Sequence, residues 1–384
     1  MSSRSARRCV DTDVLIVGGG PAGIATSLAL DSAGFVVCVL EQSTYETPRV
    51  GEHLAPDCQP FLERLRLWSR FLATAPIPSP GIRVAWDNTK RDERDYLFSP
   101  YGRGWNVDRR CFDATLAHAA TAAGVNVRTA TRLGELESRA GLWVCRLRDD
   151  GQLAGEQITA RFLVDATGRA TSVAKLLGAH RKSPDRLIGL CTWLAAGNES
   201  APDDPRLLVE AVENGWWYAV QLPEKRLAGV LMTDRDLVPS RRDQAEAWWH
   251  ASVEKTQHIA GRVRAYNRRL DFQIRGAHSF ALQPAAGIVG GAGWLAAGDA
   301  AMAVDPLSSM GIVGALASGL TAATAIMDHI SGDLGALEGY SDDISRRYLS
   351  YLADRSAVYG SERRWADRPF WRRRHASQLS NRRS

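Results

Sequence analysis

The sequence predicts an α/β fold in which a largely parallel sheet is split by an inserted, mostly antiparallel one and closed by C-terminal helices. Three observations predict it. Residues 13–17 (Asp-Val-Leu-Ile-Val), 21–33 and 35–41 read as buried strand, helix and strand, a βαβ unit joined through Gly18-Gly19-Gly20-Pro21. From about 185 to 285 the pattern changes to alternating apolar and polar residues rich in tryptophan. After that, 311–330 reads as a strongly apolar helix rich in glycine and alanine, and 338–359 as a more polar one.

The elements follow in order. Polar, proline-rich loops (Pro48, Pro56, Pro60, Pro76, Pro78, Pro80) come after the βαβ unit, then a helix at 108–123 with Ala and Leu on one face. Strands are expected at 125–132, 142–148 and 157–164, then at 206–212, 216–222 and 226–233, with a helix near 241–260. The expected segments are 10–184 and 286–335 for a dinucleotide-binding domain, 185–285 for a substrate domain, and 336–384 for C-terminal helices and a basic tail.

Composition removes several classes. With 384 residues, 45% hydrophobic and 24% charged, the chain has the make-up of a globular protein with a substantial core. No stretch approaches about eighteen uninterrupted apolar residues, so no membrane span is expected, and the location expected is cytoplasmic. The basic start (Arg4, Arg7, Arg8) is broken by Asp11 and Asp13 and runs into Gly-Gly-Gly-Pro, a strand and turn rather than a secretory signal. Cys9, Cys38, Cys58, Cys111, Cys145 and Cys191 show no CxxC spacing, so reduced thiols and no metal are expected. The net charge of +5 is concentrated in a C-terminal run: Arg363, Arg364, Arg368, Arg372, Arg373, Arg374, Arg382 and Arg383. A solvated tail is the simpler reading and an acidic partner the alternative. Trp365, Phe370 and Trp371 inside the run suggest that its first part docks. No nucleic-acid motif accompanies it.

Three glycine-bearing signatures carry the chemistry. In Gly18-x-Gly20-x-x-Gly23 the first glycine permits a tight turn and the second lets a pyrophosphate approach the backbone. The third lets helix and strand pack closely, and Pro21 and Ala22 open the helix that faces the phosphates. Glu41, at the end of the second strand, is placed to accept hydrogen bonds from an adenosine ribose, with Gln42 and Arg49 beside it. The second signature is Phe162-Leu163-Val164-Asp165-Ala166-Thr167-Gly168-Arg169. In the third, Gly298-Asp299 ends a strand where a carboxylate can bond the hydroxyls of a ribityl chain, which points to FAD rather than NAD. Pro306, Ser308 and Ser309 then precede Gly311 and Ile312, where a helix start offers free N–H groups to the pyrimidine edge of a flavin. Ser308 and Ser309 also suit helix caps.

These signatures, in this order, resemble the flavoprotein monooxygenase superfamily whose simplest members hydroxylate phenols. The resemblance covers nearly the whole chain and implies a Rossmann-like FAD-binding domain with an inserted antiparallel substrate domain. Asp165 and Gly168 match the family's Asp-Gly element, read here as Asp-Ala-Thr-Gly, and Arg109 in Asp108-Arg109-Arg110-x-Phe112-Asp113 matches an arginine that approaches the flavin. Val50-Gly51-Glu52-His53-Leu54-Ala55-Pro56 is similar to the Gly-Glu-x-x-x-Pro loop of flavin-dependent halogenases. Gly215-Trp216-Trp217-Tyr218 begins like their Gly-Trp-x-Trp-x-Ile-Pro motif but continues Ala219-Val220-Gln221-Leu222-Pro223. The halogenase lysine has no match between Glu52 and Trp86; Lys90 comes first, in a polar loop. The chain resembles halogenase-like flavoproteins that hydroxylate instead, either tryptophan in precursors of quinone cofactors or aromatic antibiotic intermediates.

The resemblance implies an FAD-dependent monooxygenase acting through a flavin C4a-hydroperoxide on an electron-rich aromatic, free or peptide-borne. O2 is the co-substrate, and NAD(P)H or a separate flavin reductase the electron donor. Trp216, Trp217 and Tyr218 are candidates for the substrate wall, with core packing the competing reading. His53 is the candidate acid–base group, against a plain loop histidine. Three alternatives stay open: a halogenase, an oxidase or reductase without oxygen transfer, and a non-catalytic flavin-binding partner.

Overall fold

The computed structural model describes residues 11–87, 92–149, 152–183, 185–196 and 204–381. Its first sheet is built around four parallel neighbours: Val37–Leu40, Thr12–Val17, Gln152–Asp165 and Ala292–Ala296. Asn126–Arg128 extends it in parallel beyond Val37–Leu40, and Ala286–Val289 closes the other edge antiparallel. Val14, Leu15, Ile16, Leu163, Val164 and Leu295 are all fully buried, as expected of strands covered on both faces. Leu142–Asp149 pairs with the outer part of Gln152–Asp165 and with Arg132–Arg139, forming an antiparallel flap.

The single strand expected at 125–132 is two, Asn126–Arg128 and Arg132–Arg139. Ala130 between them takes a left-handed φ of 52°, and Thr131 N–H is drawn aside to the Glu41 carbonyl at 2.9 Å.

A second sheet of seven strands runs Arg268–Gly276, Leu187–Ala195, Arg226–Asp234, Gly215–Leu222, Leu207–Val212, Gly81–Ala85, Asp92–Asp95. Its central pairings are antiparallel, but Gly81–Ala85 joins Leu207–Val212 in parallel. The sheet therefore takes two strands from a stretch that reads in sequence as loop. The helix expected over 241–260 ends at Val253 and restarts at Ile259–Val263. Between them the buried Glu210 carboxylate accepts the N–H groups of Gln257, His258 and Ile259 at 2.6, 2.9 and 2.9 Å, capping the second helix.

Two helices lock the chain's ends together. Gly311–Ile330 packs against Pro21–Ser32 so closely that a Cβ on Gly319 would stand 2.5 Å from the Ala22 carbonyl oxygen. By length and composition Gly311–Ile330 could cross a membrane, but half of its most apolar window is buried inside the protein. Ala336–Ser361 lies against it.

The first part of the basic run docks, as its aromatic residues suggest, instead of forming a solvated tail. Pro369–Asn381 is a helix, and Phe370 and Trp371 are fully buried beside Tyr359 and Trp86. Arg374 is buried too, donating to both Asp234 oxygens at 2.8 and 3.2 Å and lying 3.6 Å over the Phe370 ring. Arg373 pairs with Asp234 and Asp236. The acidic partners of these two arginines belong to the same chain. Arg382 and Arg383 lie outside the described residues, as do Cys9 and Lys90.

Candidate functional site

A cavity of about 1230 Å³ runs between the two sheets. At one end lies the first glycine turn. Gly18 has φ 113°, and a Cβ there would stand 2.2 Å from the Ala166 carbonyl oxygen, so only glycine fits the crossing of the two parallel strands. Gly20, Pro21 and Ala22 line the cavity, and a Cβ on Gly20 would meet no protein atom within 4 Å. That open backbone, at a helix N-terminus with unpaired N–H groups, fits a pyrophosphate. Gly23 does not line the cavity; a Cβ there would stand 2.0 Å from the Gly18 carbonyl oxygen, which is the close packing expected of the third glycine. Glu41 and Gln42 line the same end. Glu41 is braced by Gly19 N–H at 2.8 Å, Ser43 N–H at 2.9 Å and Arg49 at 3.3 Å. It retains acceptor capacity for a ribose.

At the far end the cavity meets Asp299, Pro306, Ser309, Gly311 and Ile312. Ser309 adopts φ 53° and turns the chain into Gly311–Ile330, whose first N–H groups face the cavity end. Gly298 stands behind the wall at φ 61°, where a Cβ would come 2.6 Å from that of Ala22. Asp299 meets Arg169 at 3.3 Å. Together these residues fit a flavin dinucleotide laid along the groove.

Between the ends stands a polar wall. Asp108 caps the helix Arg109–Ala123 by accepting Arg110 N–H at 2.9 Å, which puts Arg109 in the first turn, four residues before Asp113. Arg109 holds Asp113 with two parallel bonds, 3.1 and 3.0 Å, and donates to the Val50 carbonyl at 2.6 Å. Gly51 has φ 99°, and a Cβ there would strike the Arg109 guanidinium at 2.7 Å. The next residue, Glu52, is 1% exposed. Its carboxylate accepts Trp193 Nε1–H at 3.0 Å, Gly51 N–H at 2.8 Å and the Tyr218 hydroxyl at 3.4 Å. Burial pushes the Glu52 carboxyl up to about 7, against the opposing pull of its backbone donors, Arg109 and Trp193.

His53 also borders the cavity. Nδ1 lies 2.8 Å from Asn106 Oδ1 and Nε2 2.9 Å from the Tyr96 hydroxyl. Since Asn106 Oδ1 only accepts, Nδ1 carries the hydrogen and Tyr96 donates to Nε2. Burial holds the pKa below the ordinary histidine value. Both His53 nitrogens are engaged, and Glu52 beside it is the buried carboxylate of this wall.

The third wall is one face of the second sheet: Gly189, Cys191, Leu207, Val209, Trp216, Tyr218 and Met232. Side chains alternate along Gly215–Leu222, so Trp217 points away. It packs at 5.1 Å ring-to-ring against Trp249 on the opposite face and touches no part of the cavity. Of the three aromatic candidates, Trp217 is core. Asp165 also departs from expectation. It is fully buried and accepts Thr167, Val173 and Ala174 N–H groups at 2.9, 3.0 and 2.8 Å. It anchors the turn at Gly168, which does line the cavity, and does not itself reach the cavity.

Sequence reasoning missed Thr131, Arg132, Leu133, Arg169, Arg275 and His278 on the lining. For Arg169 the signal was its place directly after Gly168; it donates to the carbonyls of His278 and Val304 at 2.6 and 2.5 Å and braces Asp299. No lysine lines the cavity among the described residues.

A dinucleotide groove that opens onto a buried carboxylate and an aromatic wall defines a flavin-dependent oxidoreductase. A family model described as an FAD binding domain matches residues 11–349, and the chain belongs to this family. It is 29% identical to a putative FAD-dependent oxidoreductase, LodB, of Marinomonas mediterranea, over 95% of this chain and 97% of that one. Among solved structures it is similar to the flavin-dependent halogenase CmlS, with a TM-score of 0.83 at 22% identity over 97% of this chain and 70% of that one. It is also similar to QhpG, a peptidyl tryptophan dihydroxylase essential for tryptophylquinone cofactor biogenesis. There the TM-score is 0.77 at 25% identity, over 95% of this chain and 79% of that one. The protein is thus an FAD-dependent oxidoreductase.

Proposed function

We propose that the protein hydroxylates an electron-rich aromatic ring, with an indole carried on a peptide or protein as the favoured substrate. The observation that carries this reading is the chamber beyond the flavin groove. It is walled by Trp216 and Tyr218, supplied with one buried carboxylate, Glu52, and lined by no lysine among the described residues. The likeness to a peptidyl tryptophan dihydroxylase supports it. FAD, reduced by a nicotinamide nucleotide or a separate reductase, would supply the activation of O2.

The chain's own residues do the rest. Gly20–Ala22 and the start of Gly311–Ile330 hold the two ends of the cofactor. Trp216 and Tyr218 stack the ring and keep water from it. Replacing a ring C–H by C–O releases one proton, and a carboxyl near 7 is matched to receive it at neutral pH. Tyr218, bonded to Glu52, connects that carboxylate to the chamber.

Turnover of a tryptophan-containing peptide under isotopically labelled O2 tests the reading: label is expected in the product. Product without label, or a chloride-dependent halogenated product, overturns it. Glu52→Gln is expected to lower kcat by about 10²-fold or more with KM little changed.

A further inference from the structure

The helix Ala336–Ser361 lies outside the glycine signatures, yet one stripe of it reaches both the Pro306–Gly311 turn and the aromatic wall of the cavity. Tyr351, Arg355 and Tyr359 are four residues apart and share a face. All three meet Asp305, which is 1% exposed. Asp305 N–H donates to the Tyr351 hydroxyl at 2.8 Å, Tyr359 donates to Asp305 Oδ2 at 2.8 Å, and Arg355 Nε lies 3.4 Å from the same oxygen. Oδ1 accepts Leu307 N–H at 3.0 Å, so this carboxylate shapes the turn that brings Pro306, Ser309 and Gly311 to the cavity. The Tyr359 oxygen also accepts Trp216 Nε1–H at 2.9 Å. One fully buried hydroxyl thus joins the flavin-facing turn to the aromatic wall.

Packing alone does not require that oxygen. Phenylalanine would fill the same space but would leave the Trp216 N–H unpaired and take away an Asp305 donor. With its N–H committed to Tyr359, Trp216 meets the cavity through carbon atoms only. Tyr359 is in turn held by Asp305 and by Arg355 and Arg374, 4.9 and 5.1 Å over its ring.

We propose that Tyr359 is a positioning residue that couples the aromatic wall to the Pro306–Gly311 turn, so that an aromatic ligand against Trp216 and FAD held at that turn each tighten the other's hold. This rests on reading Trp216 as the ligand wall. Coupling of this kind is reciprocal, so either ligand reports it.

The test follows FAD release from the holoprotein on dilution, with and without saturating indole. Indole is expected to slow release about fivefold in the wild type and less than about twofold in Tyr359→Phe. Trp216→Phe deletes the same hydrogen bond from its other end and is expected to lose the effect likewise, so the answer does not depend on one variant folding. Tyr351→Phe touches Asp305 but not Trp216 and is expected to keep it. An indole effect equally large in Tyr359→Phe and wild type, or none in the wild type, overturns the proposal. Oxygen transfer is read separately by isotope label, so either reading can fail without the other.

Discussion

Two tryptophans stand side by side on one strand and live in different chemistry. Trp216 and Trp217 are both buried, at 1% and 0% exposure. Trp216 faces the cavity and its N–H is bonded to Tyr359; Trp217 faces a sealed cluster with Trp249, and neither of those two N–H groups has a partner. On the cavity face Trp193, Trp216 and Tyr218 all have hydrogen-bond partners. The other face is filled for volume, and an unpaired indole N–H is tolerated there for the apolar contact the rings make. Burial alone would have ranked the two residues as equals.

The largest expected effect tests the packing face. Trp217→Ala should lose about 3–5 kcal/mol in denaturant unfolding, while the FAD bound per folded molecule stays at the wild-type level. A fall in FAD content at temperatures where the variant is folded would break the distinction between the faces. Next comes the charge on the cavity face. Glu52 titrates near 4.5 in the unfolded chain and at about 7 in the native one. Below about pH 4.5 both states hold the proton. Between the two values the native carboxyl keeps a proton the unfolded chain has lost, so stability falls as pH rises, and above 7 the full cost stands. Glu52→Gln should therefore be more stable than wild type to denaturant unfolding at pH 8, by up to about 3 kcal/mol, with the gap closing towards pH 5. A gap that widens towards pH 5 would contradict the assignment. The smallest effect sharpens the comparison itself. Trp216→Phe and Trp217→Phe shrink the ring equally, but only the first loses a hydrogen bond, so it should cost about 1 kcal/mol more.

The nucleotide half was legible because its signals are local. Gly18, Gly20 and Gly23 sit within one turn of chain, and each is demanded by a backbone contact of 2.0–2.2 Å or by open groove. The start of Gly311–Ile330 could be read for the same reason. The substrate half was less so, since its decisive contacts are distant in sequence. Nothing near Gly81–Ala85 announces that it will pair with Leu207–Val212, and the alternation of Trp216 and Trp217 does not say which face is inside. Asp165 carries a family signature, yet three backbone N–H groups close by occupy it. Arg374 read as solvated tail because its partner Asp234 is 140 residues earlier.

The contact of Gly319 with Ala22 has a consequence for how the protein is made. The surface on which the helix Pro21–Ser32 packs lies nearly three hundred residues further along the chain. At a ribosomal pace of about 5–20 residues per second, that leaves on the order of tens of seconds before its partner emerges. The glycine turn therefore stays open on this side until the distant helix Gly311–Ile330 has been made and folds back onto it.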